Sequence, residues 1–255
     1  MFKNIIATTT VLFSKFFSVS DREAVMMAVP DGVRRVLFVD TPATVELVET
    51  IRQLLSSGVE VVVRDHHDVT ESELARGGRA GEIRKAAEEI RELLGQNALI
   101  SNRISAPACS SLVWDGEFKG QEGLVIVADP DCDGLTAAMK AAGVWYEGLD
   151  EDAAVLDGPR TGQSAGTLSP LAWLLVRGLA TLPPFDPARP QVAEGAKAAL
   201  FGDFVAAVQG DTVALEGLGR KVEAYEMAVA EAVEVAKTAR VIVPGVAEVD
   251  LRGRR

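Results

Sequence analysis

The run Val59-Glu60-Val61-Val62-Val63-Arg64-Asp65-His66-His67-Asp68 decides how this chain is read. A short β-branched segment bounded by polar residues is the pattern of a buried strand. This one ends in an acid and then in both histidines of the 255-residue chain. Two other runs behave alike. Val36-Leu37-Phe38-Val39 stops at Asp40, and Leu124-Val125-Ile126-Val127 leads into Asp129-Pro130-Asp131-Cys132-Asp133-Gly134. A further strand is expected from Ala153 to Leu156. Helical periodicity alternates with these runs, at Thr44 to Leu55, Glu82 to Leu94, Thr136 to Ala142 and Leu171 to Leu179. Strand and helix in alternation predict an α/β fold, a mostly parallel sheet with helices on both faces. Ligands of such sheets collect beyond the carboxyl ends of the strands. Asp40, Asp65 and Asp129 all fall there by position.

Outward from this centre, Leu182-Pro183-Pro184-Phe185-Asp186-Pro187, with Pro190, marks a boundary. Residues 1–182 are expected to form the α/β unit, 183–190 a proline-rich linker and 191–255 a helical C-terminal extension. That extension reads as helix from Val192 to Val208 and from Thr212 to Ala239. Leu215, Leu218, Val222, Tyr225 and Val229 share roughly one side of the second helix, which suits core packing. Strand-like runs Val241 to Val243 and Val246 to Val249 follow. At the other end, Ile5 to Phe17 is apolar but broken by Ser14 and Lys15. It is too interrupted for a membrane span and lacks a cleavage signal, so a buried first element is expected.

The net charge of −11, from 37 acids against 26 bases, argues against a broad binding surface for long nucleic acid. A small anion held by metal ions and a few arginines remains open. Cys109 and Cys132 provide no disulfide framework and suit a reducing cytoplasm, with Cys132 read as small filler rather than ligand.

Imidazole and carboxylate together are the nitrogen and oxygen ligands that divalent metals take. A calcium loop is excluded: its twelfth position needs Glu and a helix must precede it. Counted from Asp129 the twelfth residue is Lys140, and the preceding segment reads as strand. The paired clusters point instead to metal-assisted phosphate chemistry.

These motifs resemble the DHH phosphoesterase family, which includes RecJ-type exonucleases, nanoRNA and pAp phosphatases and family II inorganic pyrophosphatases. Asp65-His66-His67 matches the naming triplet, and Asp129 to Gly134 resembles the family's Asp-x-Asp motif in its RecJ-like form. Asp40 stands where the family has its bridging aspartate, and Ser105 to Trp114 resembles the small-residue segment after the triplet. The resemblance covers roughly residues 35 to 160. In the family the Asp-x-Asp motif precedes the triplet, whereas here it follows by about sixty residues, so a circular permutation is inferred. The family's histidine-containing C-terminal substrate domain is reduced or missing, which leaves room for a homodimer or partner chain to supply binding surface.

The resemblance implies two manganese ions, with magnesium as substitute. Asp40 would bridge them, Asp131 would hold one, and Asp133 with His66 the other, with Asp129 as an extra ligand. Asp65 would orient His66, and His67 would polarise phosphate or protonate the leaving oxygen. Arg64 and Arg103 are candidate phosphate clamps, Asn102 and Ser105 candidate nucleotide contacts, and Asp115 or Asp157 the last metal ligand. Gly134 is expected to turn the chain into a helix whose N-terminus favours anions. The implied activity is hydrolysis of phosphodiester or phosphomonoester bonds in short oligonucleotides or nucleotides. Pyrophosphate hydrolysis and a non-catalytic scaffold in a nucleic-acid-processing assembly are the alternatives.

Overall fold

A computed structural model describes residues 2–6, 9–13, 23, 25, 32–157, 168–183, 189–237, 240–243 and 246–248. The strands are β1 (Phe2–Ile6), β2 (Thr9–Phe13), β3 (Arg35–Val39), β4 (Glu60–Asp65), β5 (Ala98–Ile100) and β6 (Leu124–Ala128). They form one sheet in the order β1-β2-β6-β3-β4-β5. Only β1 runs antiparallel to its neighbour; the other pairings are parallel. The apolar N-terminus is thus a hairpin on the sheet's edge rather than a single element, and its residues 14–17 lie outside the described residues. The decisive feature is the place of β6. The chain lays down β3, β4 and β5 in one direction, then returns to insert β6 between β2 and β3. The order in which strands are added therefore reverses between β3 and β6, and a crevice opens at such a switch point.

Side-chain alternation sorts the strands onto two cores. On one face Val36, Phe38, Val61, Val63, Val125 and Val127 meet helix α1 (Val45–Ser56) and, beyond the short α2 (Glu71–Arg76), helix α3 (Ala80–Leu94). Thr44 caps α1 by accepting from the Leu47 N–H at 3.1 Å. On the other face Leu37, Val39, Val62, Ile126 and Ala128 meet α4 (Cys132–Ala141), which precedes α5 (Leu149–Asp157). This second core continues without a break into α6 (Pro170–Ala180), α7 (Pro190–Val208) and α8 (Thr212–Lys237), through Leu175, Phe201, Phe204 and Leu218. Phe201 meets Phe13 of β2 edge to face, with ring centroids 5.2 Å apart. A Cβ at Gly178 would stand 2.6 Å from Leu200 Cδ1, so glycine lets α6 and α7 approach. The C-terminal helices thus pack on the sheet itself. Residues 184–188 of the proline cluster lie outside the described residues. A small antiparallel ribbon, β7 (Arg240–Val243) and β8 (Val246–Glu248), follows as the alternation there suggested.

One expected strand is not a strand. Ala153 to Leu156 lies inside α5, where Asp150, Glu151 and Asp152 occupy the first turn. Carboxylates there favour the positive end of a helix dipole, and a four-residue apolar run cannot oppose that. Helix α4 also begins earlier than periodicity indicated, at Cys132, because Asp131 caps it by accepting from the Gly134 N–H at 2.9 Å. No helix among the described residues is long and apolar enough to cross a membrane.

Candidate metal centre

Because β6, β3 and β4 are neighbours in register, the residues just beyond Ala128, Val39 and Arg64 meet at one end of the sheet. Asp40 follows β3 with φ +52, a conformation uncommon for any residue but glycine. It holds that shape because its N–H donates to Arg64 O at 2.9 Å and to Cys109 Sγ at 3.1 Å. Cys109 begins a 3-10 turn, Cys109–Leu112, and its own N–H donates to both carboxylate oxygens of Asp133, at 3.2 and 3.0 Å. One buried thiol residue therefore touches the β3, β4 and β6 loops at once.

His66 is fully buried. Its Nδ1 lies 2.9 Å from Ala106 O, so Nδ1 carries the proton and donates. Nε2 of the neutral ring is then an acceptor. It faces Asp40 Oδ1 at 3.2 Å, Asp133 Oδ2 at 3.1 Å and Asp157 Oδ2 at 3.9 Å. Burial pushes the His66 pKa down, as does neighbouring His67, which keeps the ring neutral. Asp40 is pushed well up by burial and then by Asp133, Asp131, Asp65 and Asp129; Asp133 is raised chiefly by burial, against the pull of the Cys109 N–H. Neither oxygen of Asp40 receives a hydrogen bond among the described residues. A ring nitrogen acceptor aimed at buried carboxylates is an arrangement that protein donors alone leave unneutralised.

Three ligand groups overlap here, each with its atoms within 4.8 Å of one another: Asp40 with His66 and His67, His66 with Asp133 and Asp157, and Asp40 with Asp129 and Asp131. Asp40 is common to the first and third, His66 to the first and second. Every metal ligand expected from the sequence is thereby gathered into one cluster. Between the two candidates for the last ligand, geometry selects Asp157, buried at the end of α5. Asp115 is exposed and pairs with Lys140 at 3.4 Å.

The other expected residues divide. Asp65 orients His67 rather than His66, accepting from its Nδ1 at 2.8 Å and its backbone N–H at 3.1 Å. Arg103 donates from Nη2 to His67 Nε2 at 2.7 Å and pairs through Nε with Asp157 at 2.9 Å. It stands at the cluster as anticipated. Arg64 does not. Strand alternation sends its side chain to the same face as Val62, where Nη1 donates to Asn97 O at 3.0 Å and Nη2 to Glu117 at 2.6 Å. A buried guanidinium so engaged is no phosphate clamp. Asn102 builds a turn, its Oδ1 accepting from Ile104 N–H and Ser105 N–H at 3.0 and 3.1 Å. Ser105 is exposed on that turn.

Gly134 serves a purpose other than the turn expected of it. It lies inside α4, and a Cβ there would come within 2.1 Å of Asp129 O, so glycine lets the acidic loop fold back onto the helix. Cys132 is held as a neutral thiol, its pKa pushed up to about 12 by burial and by Asp131. Sequence reasoning missed the Ala106 carbonyl, the role of Cys109 and Lys197, whose Nζ donates to Pro130 O at 3.0 Å from α7. No pattern announces the first two, since a carbonyl and a small thiol residue are common anywhere. No protein-family model, curated protein or solved structure matches this chain.

Proposed function

We propose that this chain is a divalent-metal-dependent phosphoesterase of the DHH type, with the family's motif order permuted. The observation that carries the reading is Asp40. Its carboxylate is buried, receives no hydrogen bond among the described residues, and belongs both to the group with His66 and to the group with Asp129 and Asp131. Packed carboxylates repel and hold protons unless a cation offsets them. The donor set fits such ions: His66, Asp133 and Asp157 for one, Asp40, Asp129 and Asp131 for the other, with Asp40 also 3.2 Å from His66 Nε2. Mixed nitrogen and oxygen ligands favour manganese, with magnesium the harder alternative. A bound pair of ions supplies Lewis acidity toward a phosphoryl oxygen and an activated water for in-line attack.

The chain's own residues do the rest. Ala106 O fixes the His66 tautomer and leaves Nε2 facing the carboxylates, the outer-sphere support typical of ligating histidines. Asp65 holds His67 with Nδ1–H inward and Nε2 outward. Nε2 carries no proton while Arg103 donates to it, so the acid would be His67 protonated at Nε2 from solvent once Arg103 turns to a phosphate, and that proton would pass to the leaving oxygen. Arg103 is the planar donor suited to phosphoryl oxygens. Cys109 and Cys132 are both free thiols, consistent with the reducing cytoplasm proposed for the protein.

The test is hydrolysis of bis-p-nitrophenyl phosphate and of a dinucleotide with and without manganese, in wild type, Asp131→Ala and His66→Ala. Manganese-dependent turnover that both substitutions abolish is expected. Equal turnover in all three proteins, or none in any, rejects the reading, and the second result leaves a scaffold.

A further inference from the structure

Beside the carboxylate cluster a cavity of about 330 Å³ opens between the acidic loop, the end of α5, α6 and α7. Its walls are of two kinds. Cys132, Leu156 and Leu179 form a half-buried apolar side, while Asp131, Asp133 and Asp157 of the cluster form the other. Among the described residues Lys197 is the one cation of the lining. Its one hydrogen bond to a described residue goes to Pro130 O, and an ammonium has three donors, so it can meet a ligand as well.

We propose that this cavity is the substrate's specificity pocket and that Lys197, supplied by the C-terminal helices, is its anion contact. The inference rests on the metal-dependent reading above. Two divalent cations would reverse the sign of a wall that otherwise sets three carboxylates against one ammonium, so the loaded pocket attracts an anion. The apolar side takes an organic group next to that anion. The volume is at the low end of small-ligand sites, which suits one nucleoside-sized group rather than several. The ligand class is thus a small organic phosphate with one planar or apolar group. Lys197 is a specificity residue.

The experiment measures calorimetric binding of a non-hydrolysable phosphonate analogue of adenosine monophosphate to the manganese-loaded full-length chain. A twelve-nucleotide strand is the competitor, and manganese binding is titrated in parallel. The proteins are wild type, Lys197→Gln, Lys197→Arg and Leu179→Trp, with circular dichroism to confirm folding. Loss of one charge-assisted contact lowers affinity by about tenfold, so that drop is expected in Lys197→Gln, with most of it recovered in Lys197→Arg. Leu179→Trp, which fills the apolar side, should bind the analogue weakly, and the strand should bind wild type no better than the analogue does. Manganese affinity should match wild type in all three variants. Analogue affinity unchanged in Lys197→Gln and Leu179→Trp, or a strand that outcompetes the analogue, overturns the pocket while leaving the metal centre intact. Failure of wild type to bind manganese overturns the metal reading and the pocket together.

Discussion

Asp68 and Asp40 lie on adjacent loops at the same end of the sheet, and they are treated in opposite ways. Asp68 is paired with Arg91 and Arg84, the latter through Nε at 3.3 Å. Asp40 is more deeply buried, and among the described residues it has no arginine or lysine partner. Yet four further carboxylates, Asp129, Asp131, Asp133 and Asp157, crowd the same cluster. The fold sets Arg103 against Asp157 of the cluster, yet among the described residues it sets no arginine against Asp40 itself. The difference teaches that Asp68 is part of the scaffold, whereas the cluster around Asp40 is where the proposed metal ions would supply charge that the described residues do not.

The largest break in that contrast comes from Asp40→Asn. Losing the ligand shared by two groups removes several kcal/mol of charge stabilisation, so manganese-dependent turnover should fall by about a thousandfold or more. The same variant should be more stable than wild type in chelator, because one of the repelling charges is gone. For a chain of this size each kcal/mol relieved raises Tm by about 2–4 °C, which thermal unfolding with chelator would read. A lower Tm under those conditions would mean that Asp40 is already neutralised within the protein.

Asp65→Asn should cost less. It leaves the ligand set intact and loosens only His67, so kcat should fall by about 10–100-fold with manganese affinity unchanged. Titration sharpens the contrast further. Asp40 and Asp133 bind protons more tightly folded than unfolded, so the stability they lend is complete below the usual carboxylate range. It drains away as pH climbs through their raised folded values. His66 runs the other way, losing stability as pH falls through its ordinary value of about 6.5. Above that value only the carboxylates still contribute a slope, so Tm in chelator should decline with rising pH, and less so with manganese bound. The smallest effect belongs to Asp68→Asn. Its arginine partners are a quarter to a third exposed, at 26% and 35%, and solvent screening limits the loss to about 1 kcal/mol or less. Manganese affinity should not move.

Much of this cluster was legible because burial and chemistry leave different marks on a strand. Val36 to Val39, Val61 to Val63 and Leu124 to Val127 are apolar without interruption, and an abrupt acid after each marks where the sheet ends. What the sequence withheld was lateral. Nothing in a linear pattern says that β6 enters between β2 and β3, which is what brings Asp131 and Asp133 to His66. Nor does it say which neighbour an acid turns to: Asp65 faces His67, and Arg64, one residue away, faces Glu117. Asp157 beats Asp115 because α5 delivers it to the cluster, and α5 itself contains the four residues that read as a strand. Three-residue β5 is too short to show any period.

Cys109 carries a last consequence. Its sulfur lies between Arg64 O and the Asp40 N–H, and its amide grips Asp133, so a single small side chain sets the spacing of three strands' endings. Replacement by serine would keep the span; a valine or leucine would act as a wedge, prising the ligating atoms apart without altering one of them. The tolerance of this centre is therefore set from behind, by the girth of a residue that need never meet a metal or a substrate.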